Sequence, residues 1–150
     1  MRRRYFLAAL AGAIPARRAV AASDKVTIAF MGVNGRGRHL EKIFCGLPDV
    51  NVAYVCDVDQ RVLPRGIKIV EELKGKRPAV VSDIRRVLED KSVDAVVMGT
   101  PIHWHAAGTI LACEAGKDVY VEKPASHNIR EGRLMVAAAR RYQRIVQHGT

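Results

Sequence analysis

The sequence predicts an α/β domain on a doubly wound parallel sheet of about six strands, ordered 3-2-1-4-5-6. Three observations predict it. Short apolar runs alternate with longer stretches of helical period from Lys25 to Thr150, the pattern of strands joined by helical crossovers. The main runs are continuously apolar, as in strands covered on both faces. The first run ends in Gly32-Val33-Asn34-Gly35-Arg36-Gly37, a glycine-rich turn leading from a strand into a helix.

The elements follow in order. Residues 26–31 form the first strand, and a helix through Leu40, Ile43 and Phe44 stops before Pro48. Residues 51–56 form the second strand, closed by Asp57. Val62, Ile67, Ile69, Val70 and Leu73 give helical spacing over residues 61–74; Pro64 fits its first turn and Gly75 its end. A short third strand spans 79–81, after which Asp83 caps a helix through Val87 and Leu88. Residues 95–98 form the fourth strand, residues 104–115 a helix with Gly116 beyond it, and residues 119–121 the fifth strand. Asn128 caps a helix reaching Tyr142, and residues 145–148 form the sixth strand.

The formal net charge of +10 invites a nucleic-acid reading until the charges are located. Five of the arginines fall within residues 1–22. There a basic head, a short Ala/Gly-rich apolar middle and the run Ala19-Val20-Ala21-Ala22 make an export signal. Arg3-Arg4 followed by Phe6-Leu7 points to the twin-arginine type, and the apolar stretch is too short to span a bilayer. Residues 23–150 are then one folded domain carrying +5. Its basic residues are scattered over helices with no interleaved aromatic platform, so nucleic acid is not the expected partner. Cys45, Cys56 and Cys113 are widely spaced among apolar neighbours. They read as buried thiols, with one disulfide pair left open, and no spacing suggests a metal.

The chemistry gathers at strand ends. A strand, a glycine turn and a helix start put backbone N–H groups and the positive helix end beside a phosphate. Gly32 permits the tight turn and Gly37 lets helix and strand pack closely. Asn34 holds the middle glycine's place, beside Gly35 and Arg36, and is expected to accept a positive φ while crowding a diphosphate. Asp57, twenty residues after Gly37, suits the hydroxyls of an adenosine ribose. Its charge favours NAD over NADP, although Arg38 or Arg61 could offset it; the plainer role of capping the next helix is shared with Asp59. Thr100-Pro101-Ile102-His103-Trp104-His105 follows the fourth strand and Glu122-Lys123-Pro124 the fifth, where open α/β sheets bind ligands. His103 and His105 lack the spacing of a helical metal pair. Lys123, beside a carboxylate, is placed for proton transfer or for holding a substrate hydroxyl.

These four motifs, with Cys56-Asp57-Val58-Asp59 between the first and third, occur in an order that resembles the N-terminal domain of the glucose–fructose oxidoreductase, inositol dehydrogenase and rhizopine-catabolism (Gfo/Idh/MocA) family. The resemblance runs from about Lys25 to Thr150. It implies an oxidoreductase moving hydride between NAD and a sugar or cyclic polyol. Residues 32–37 would hold the diphosphate and Asp57 the ribose. Thr100, Pro101 and His105 would lie along the cofactor, Glu122 and Lys123 near the nicotinamide ribose, and Lys123 would assist proton transfer. Asn34 and Ile102 depart from the family pattern. Some relatives are glycoside hydrolases using bound NAD transiently; they tend to depart from Glu-Lys-Pro, which stands intact here. The family's second domain supplies most of the substrate pocket, so residues 23–150 are expected to bind cofactor without turnover. A homo-oligomer or a missing second domain is the expected partner, and a sticky apolar sheet face the expected consequence.

Overall fold

The computed structural model describes residues 25–150; the export signal read at residues 1–22 lies outside them. Six strands, β1 (Val26–Met31), β2 (Val50–Cys56), β3 (Ala79–Val81), β4 (Ala95–Met98), β5 (Asp118–Val121) and β6 (Val146–His148), pair in the order β3-β2-β1-β4-β5-β6. All five pairings are parallel. The helices between them are α1 (Arg36–Cys45), α2 (Leu63–Lys74), α3 (Ile84–Glu89), α4 (His105–Glu114) and α5 (Ile129–Tyr142), with a 3-10 turn at Ile102–Trp104. The sequence order of elements is therefore the observed one.

Strand period sorts the core into two layers. Ile28, Phe30, Val55 and Val97 point to the side where α1 and α2 bring Leu40, Leu63, Ile67 and Val70. Ala29, Met31, Val96, Met98, Val119 and Val121 point to the other side, against Val87, Ala106, Ala112, Met135 and Ala138. Burial on both faces explains the unbroken apolar runs. All three cysteines are free and buried, and burial pushes the Cys45 and Cys56 thiols up to about 11 and about 12.

The caps act locally. Asp83 accepts the Arg85 N–H and Asn128 the Glu131 N–H, while Gly75 ends α2 in the left-handed region. At the far end of the sheet Lys117 is buried, its Nζ donating to the carbonyls of Asp90 (2.6 Å) and Val93 (2.8 Å). One expectation needs correcting. The sheet face beyond α1 and α2 carries Asp118, Tyr120 and Gln147 rather than an apolar surface, with Tyr120 edge-on to Phe44 at 5.3 Å. Exposed large apolar side chains are instead scattered over the described surface, among them Ile129, Leu134 and Val136 on α5, Ile145 after it and Val58 after β2.

Candidate cofactor site

Every motif after a strand lands at one edge, the carboxyl ends of β1, β2, β4 and β5. The turn after β1 is shaped by the absence of side chains. A Cβ on Gly37 would overlap the Gly32 carbonyl oxygen, and one on Gly32 would stand 2.8 Å from the Thr100 nitrogen. A Cβ on Gly99, which follows β4, would stand 2.5 Å from the Gly37 Cα. Three glycines thus let the turn, α1 and the end of β4 touch through backbone alone. Gly99 was not singled out from the sequence, although it follows its strand directly, as Gly32 does.

The turn also corrects the reading of Asn34. Positive φ falls on Gly32 (79°) and Gly35 (47°) and not on Asn34. Gly35 sits beside it and takes the strained conformation at no steric cost. Asn34, which is exposed, uses its amide on the turn itself: Oδ1 accepts the Gly35 N–H at 2.9 Å and lies 3.4 Å from Arg38 Nη2.

Asp57 faces this turn. One carboxylate oxygen accepts the Val33 N–H and the other the Asp59 N–H, each at 2.9 Å. A carboxylate has about four acceptor positions, so capacity remains for a ribose diol. Neither carboxylate caps α2, whose N-cap residue is Val62 with no side-chain bond; Asp59 instead accepts the Arg61 backbone N–H in the turn before the helix and binds the Arg61 guanidinium in a two-pronged pair. That arginine holds the Asp59 carboxyl down at about 2. Arg61 is thereby paired with Asp59, while Arg38 lies beside the turn. A cleft of about 470 Å³ opens here, lined by Gly32, Asp57, Val58, Asp83, Thr100 and Trp104, among others.

The second pair of motifs is tied from beneath. His105 is 2% exposed. Its Nδ1 lies 2.7 Å from the Pro124 carbonyl and its Nε2 2.9 Å from the Thr100 carbonyl, so one ring joins the loops after β4 and β5. Pro101 is exposed at the rim. Glu122 is buried, and its Oε1 meets Arg36 Nε at 2.7 Å. Burial pushes the Glu122 carboxyl up, but Arg36 and the Lys123 backbone N–H outweigh it and hold it below its ordinary value. Lys123 itself is exposed at the end of β5. No group of three His, Cys, Asp or Glu among the described residues could hold a metal.

Two features test whether these residues fit a dinucleotide. Gly35, at the tip of the turn, has no atom within 4 Å of where a Cβ would stand, and the backbone contacts of Gly32, Gly37 and Gly99 keep the rest of the turn bare of side chains. Beside it, Thr100 Oγ1 is buried with no hydrogen-bond partner among the described residues, which leaves its bonding capacity for a group brought to this edge. The residues fit.

Fold and site together define a dinucleotide-binding domain of the oxidoreductase class. The model of the oxidoreductase family with the NAD-binding Rossmann fold matches residues 26–150, and the chain belongs to this Gfo/Idh/MocA family. It is 35% identical over 126 residues to a glycosyl hydrolase family 109 protein of Shewanella baltica. To an α-N-acetylgalactosaminidase of Shewanella oneidensis it is 33% identical over 126 residues. Each match covers 81% of this chain and 27% of the relative, so the chain spans about a quarter of their length. Among solved structures it resembles GenD2 from gentamicin A biosynthesis in complex with NAD. That match has TM-score 0.75 and 26% identity, covering 92% of this chain and 37% of the other. The WlbA dehydrogenase of Chromobacterium violaceum, in complex with NADH and UDP-GlcNAcA, matches with TM-score 0.67 and 26% identity, covering 85% and 35%. No helix among the described residues is long and apolar enough to cross a membrane.

Proposed function

We propose that this chain is the cofactor-binding part of an enzyme that moves hydride between NAD and a hydroxyl-bearing carbon of a sugar or cyclic polyol. The observation that carries the reading is the glycine turn, packed backbone to backbone on the end of β4 and open at Gly35, with Asp57 facing it and the Thr100 hydroxyl beside it. The nicotinamide, when bound, supplies hydride acceptance and return. The chain's own residues do the holding: the turn at 32–37 takes the diphosphate through backbone N–H groups, and Asp57 takes the ribose hydroxyls. Lys123, on the exposed end of β5, meets the substrate hydroxyl and moves its proton. The carboxylate of Asp57 disfavours a 2′-phosphate, which makes NAD the preferred cofactor over NADP.

A second reading has its own support. The curated relatives above are glycoside hydrolases by name, at 33–35% identity. The same site would serve if hydride is taken up and given back within one turnover, with no net oxidation. The two separate on products, using the full gene product with NAD, free sugars and polyols, and N-acetylgalactosaminides. NADH accumulating with a sugar or polyol supports the first reading. Glycoside cleavage without NADH accumulation supports the second, and neither result counts against both.

Export through the twin-arginine route is part of the proposal, supported by Arg3-Arg4 and the small-residue run at 19–22. Changing Arg3 and Arg4 to lysine should leave a reporter fused to this chain inside the cell; unchanged export would contradict it.

A further inference from the structure

We infer that Glu122 is a positioning residue that holds Arg36 against the cofactor's diphosphate and links that contact to the backbone of Lys123. The inference rests on the NAD-binding reading above. Its starting point is the place of Arg36. It opens α1, with no acidic residue in the first turn, where the helix dipole disfavours a cation. An arginine kept there needs an anion, and Glu122 reaches it from 86 residues away in the sequence.

The geometry of the pair is uneven. Glu122 is buried at 3% exposure, whereas the Arg36 side chain is 45% exposed. The ion pair uses Nε, and the Tyr120 hydroxyl lies 3.5 Å from the same Glu122 oxygen. A guanidinium has five N–H donors in a planar fork, so outward N–H groups remain for a second anion. Arg36 itself stands between Gly35 and Gly37, in the turn assigned to the diphosphate. A buried carboxylate behind and a half-exposed fork in front are what a clamp on phosphate oxygens requires.

Glu122 also has a second attachment. Its Oε2 accepts the Lys123 backbone N–H at 3.1 Å. One carboxylate therefore spans the phosphate turn and the lysine that follows β5. Engaging Arg36 on the diphosphate fixes Glu122, and with it the peptide that carries Lys123. In this arrangement Glu122 acts on the cofactor through Arg36.

The experiment titrates the full chain with NADH, ADP and adenosine, comparing wild type with Arg36→Met, Arg36→Lys and Glu122→Gln, and checks each fold by circular dichroism. Arg36→Met should weaken NADH and ADP about tenfold while adenosine, which has no phosphate, binds as before. Arg36→Lys keeps the charge but replaces the planar fork by three donors on one atom, and should lose part of the ADP affinity while sparing adenosine. Glu122→Gln, with Arg36 still present, should weaken ADP severalfold and leave adenosine unchanged. A folded Glu122→Gln protein that binds ADP like wild type would overturn the inference. Equal losses for ADP and adenosine would overturn it too. If Glu122→Gln does not fold, Glu122→Asp, which keeps the charge but draws the carboxylate back by one methylene, decides: ADP binding at wild-type strength refutes the positioning role, and a loss of ADP that spares adenosine supports it. Failure of wild type to bind either NADH or ADP would instead bring down the cofactor reading itself.

Discussion

Replacing Glu41 by methionine should stabilise the domain at neutral pH and flatten its stability profile between about pH 5 and 8. Glu41 is fully buried in α1, and neither carboxylate oxygen has a hydrogen-bond partner among the described residues. It fits only because α2 presents Gly66 there; a Cβ on Gly66 would stand 2.6 Å from Oε1. Burial, and then the nearby charge of Asp57, push the carboxyl from 4.5 to about 8, with Arg38 pulling the other way. At pH 7 the folded chain therefore binds a proton that the unfolded chain has released. The stability held by the protonated form is complete below 4.5 and falls as pH rises toward 8, at about 1.4 kcal/mol per pH unit. At pH 7 the accumulated loss is about 3 kcal/mol, an order-of-magnitude figure. Methionine has similar length and no charge, so Glu41→Met should recover roughly 2–3 kcal/mol at pH 7 and little near pH 5. Glutamine removes the charge but leaves polar atoms unpartnered, and should recover only about 1 kcal/mol. Urea unfolding at pH 5, 6, 7 and 8 measures this. Parallel profiles for wild type and Glu41→Met would refute the reasoning, because the slope would then belong to other groups.

Three further outcomes are expected. Asp57→Asn should weaken NADH about tenfold and narrow the gap between NADH and NADPH, read by fluorescence titration with both nucleotides; an unchanged ratio would count against Asp57 as the ribose contact. His105→Ala removes the ring that joins the Thr100 and Pro124 carbonyls, at a cost of about 2–4 kcal/mol in chemical unfolding, with a loss under 1 kcal/mol speaking against the tie. Gly99→Ala forces a Cβ onto the Gly37 Cα and should destabilise by roughly 3 kcal/mol or more, together with a loss of nucleotide binding that milder destabilisation elsewhere would not cause.

The fold was legible in the sequence because its signals are local or periodic. The Asp83 and Asn128 caps reach amides only two or three residues on. The apolar runs of β1, β4 and β5 follow from cover on both faces, which holds for any strand inside a doubly wound sheet. Boundaries moved where local hydrogen bonding competed: the Asp59–Arg61 turn delays α2 to Leu63, and a 3-10 turn at Ile102–Trp104 precedes α4. The site was legible as a set of strand ends and much less as a set of contacts. Arg36 and Glu122 lie 86 residues apart, and His105 finds two carbonyls on different loops. Glu41 reads as an ordinary surface residue of an amphipathic helix until Gly66 opens a place for it. Asn34 misled for a simpler reason: the positive φ passed to the neighbouring glycine.

The central claim is that the turn at 32–37, Asp57 and Thr100 form one dinucleotide site. Calorimetric titration of the purified chain with NADH tests it most directly. Saturable one-to-one binding, lost in Gly37→Ala and weakened in Asp57→Asn, is the predicted result. Absence of heat and of any fluorescence change for folded wild type at millimolar NADH would contradict it.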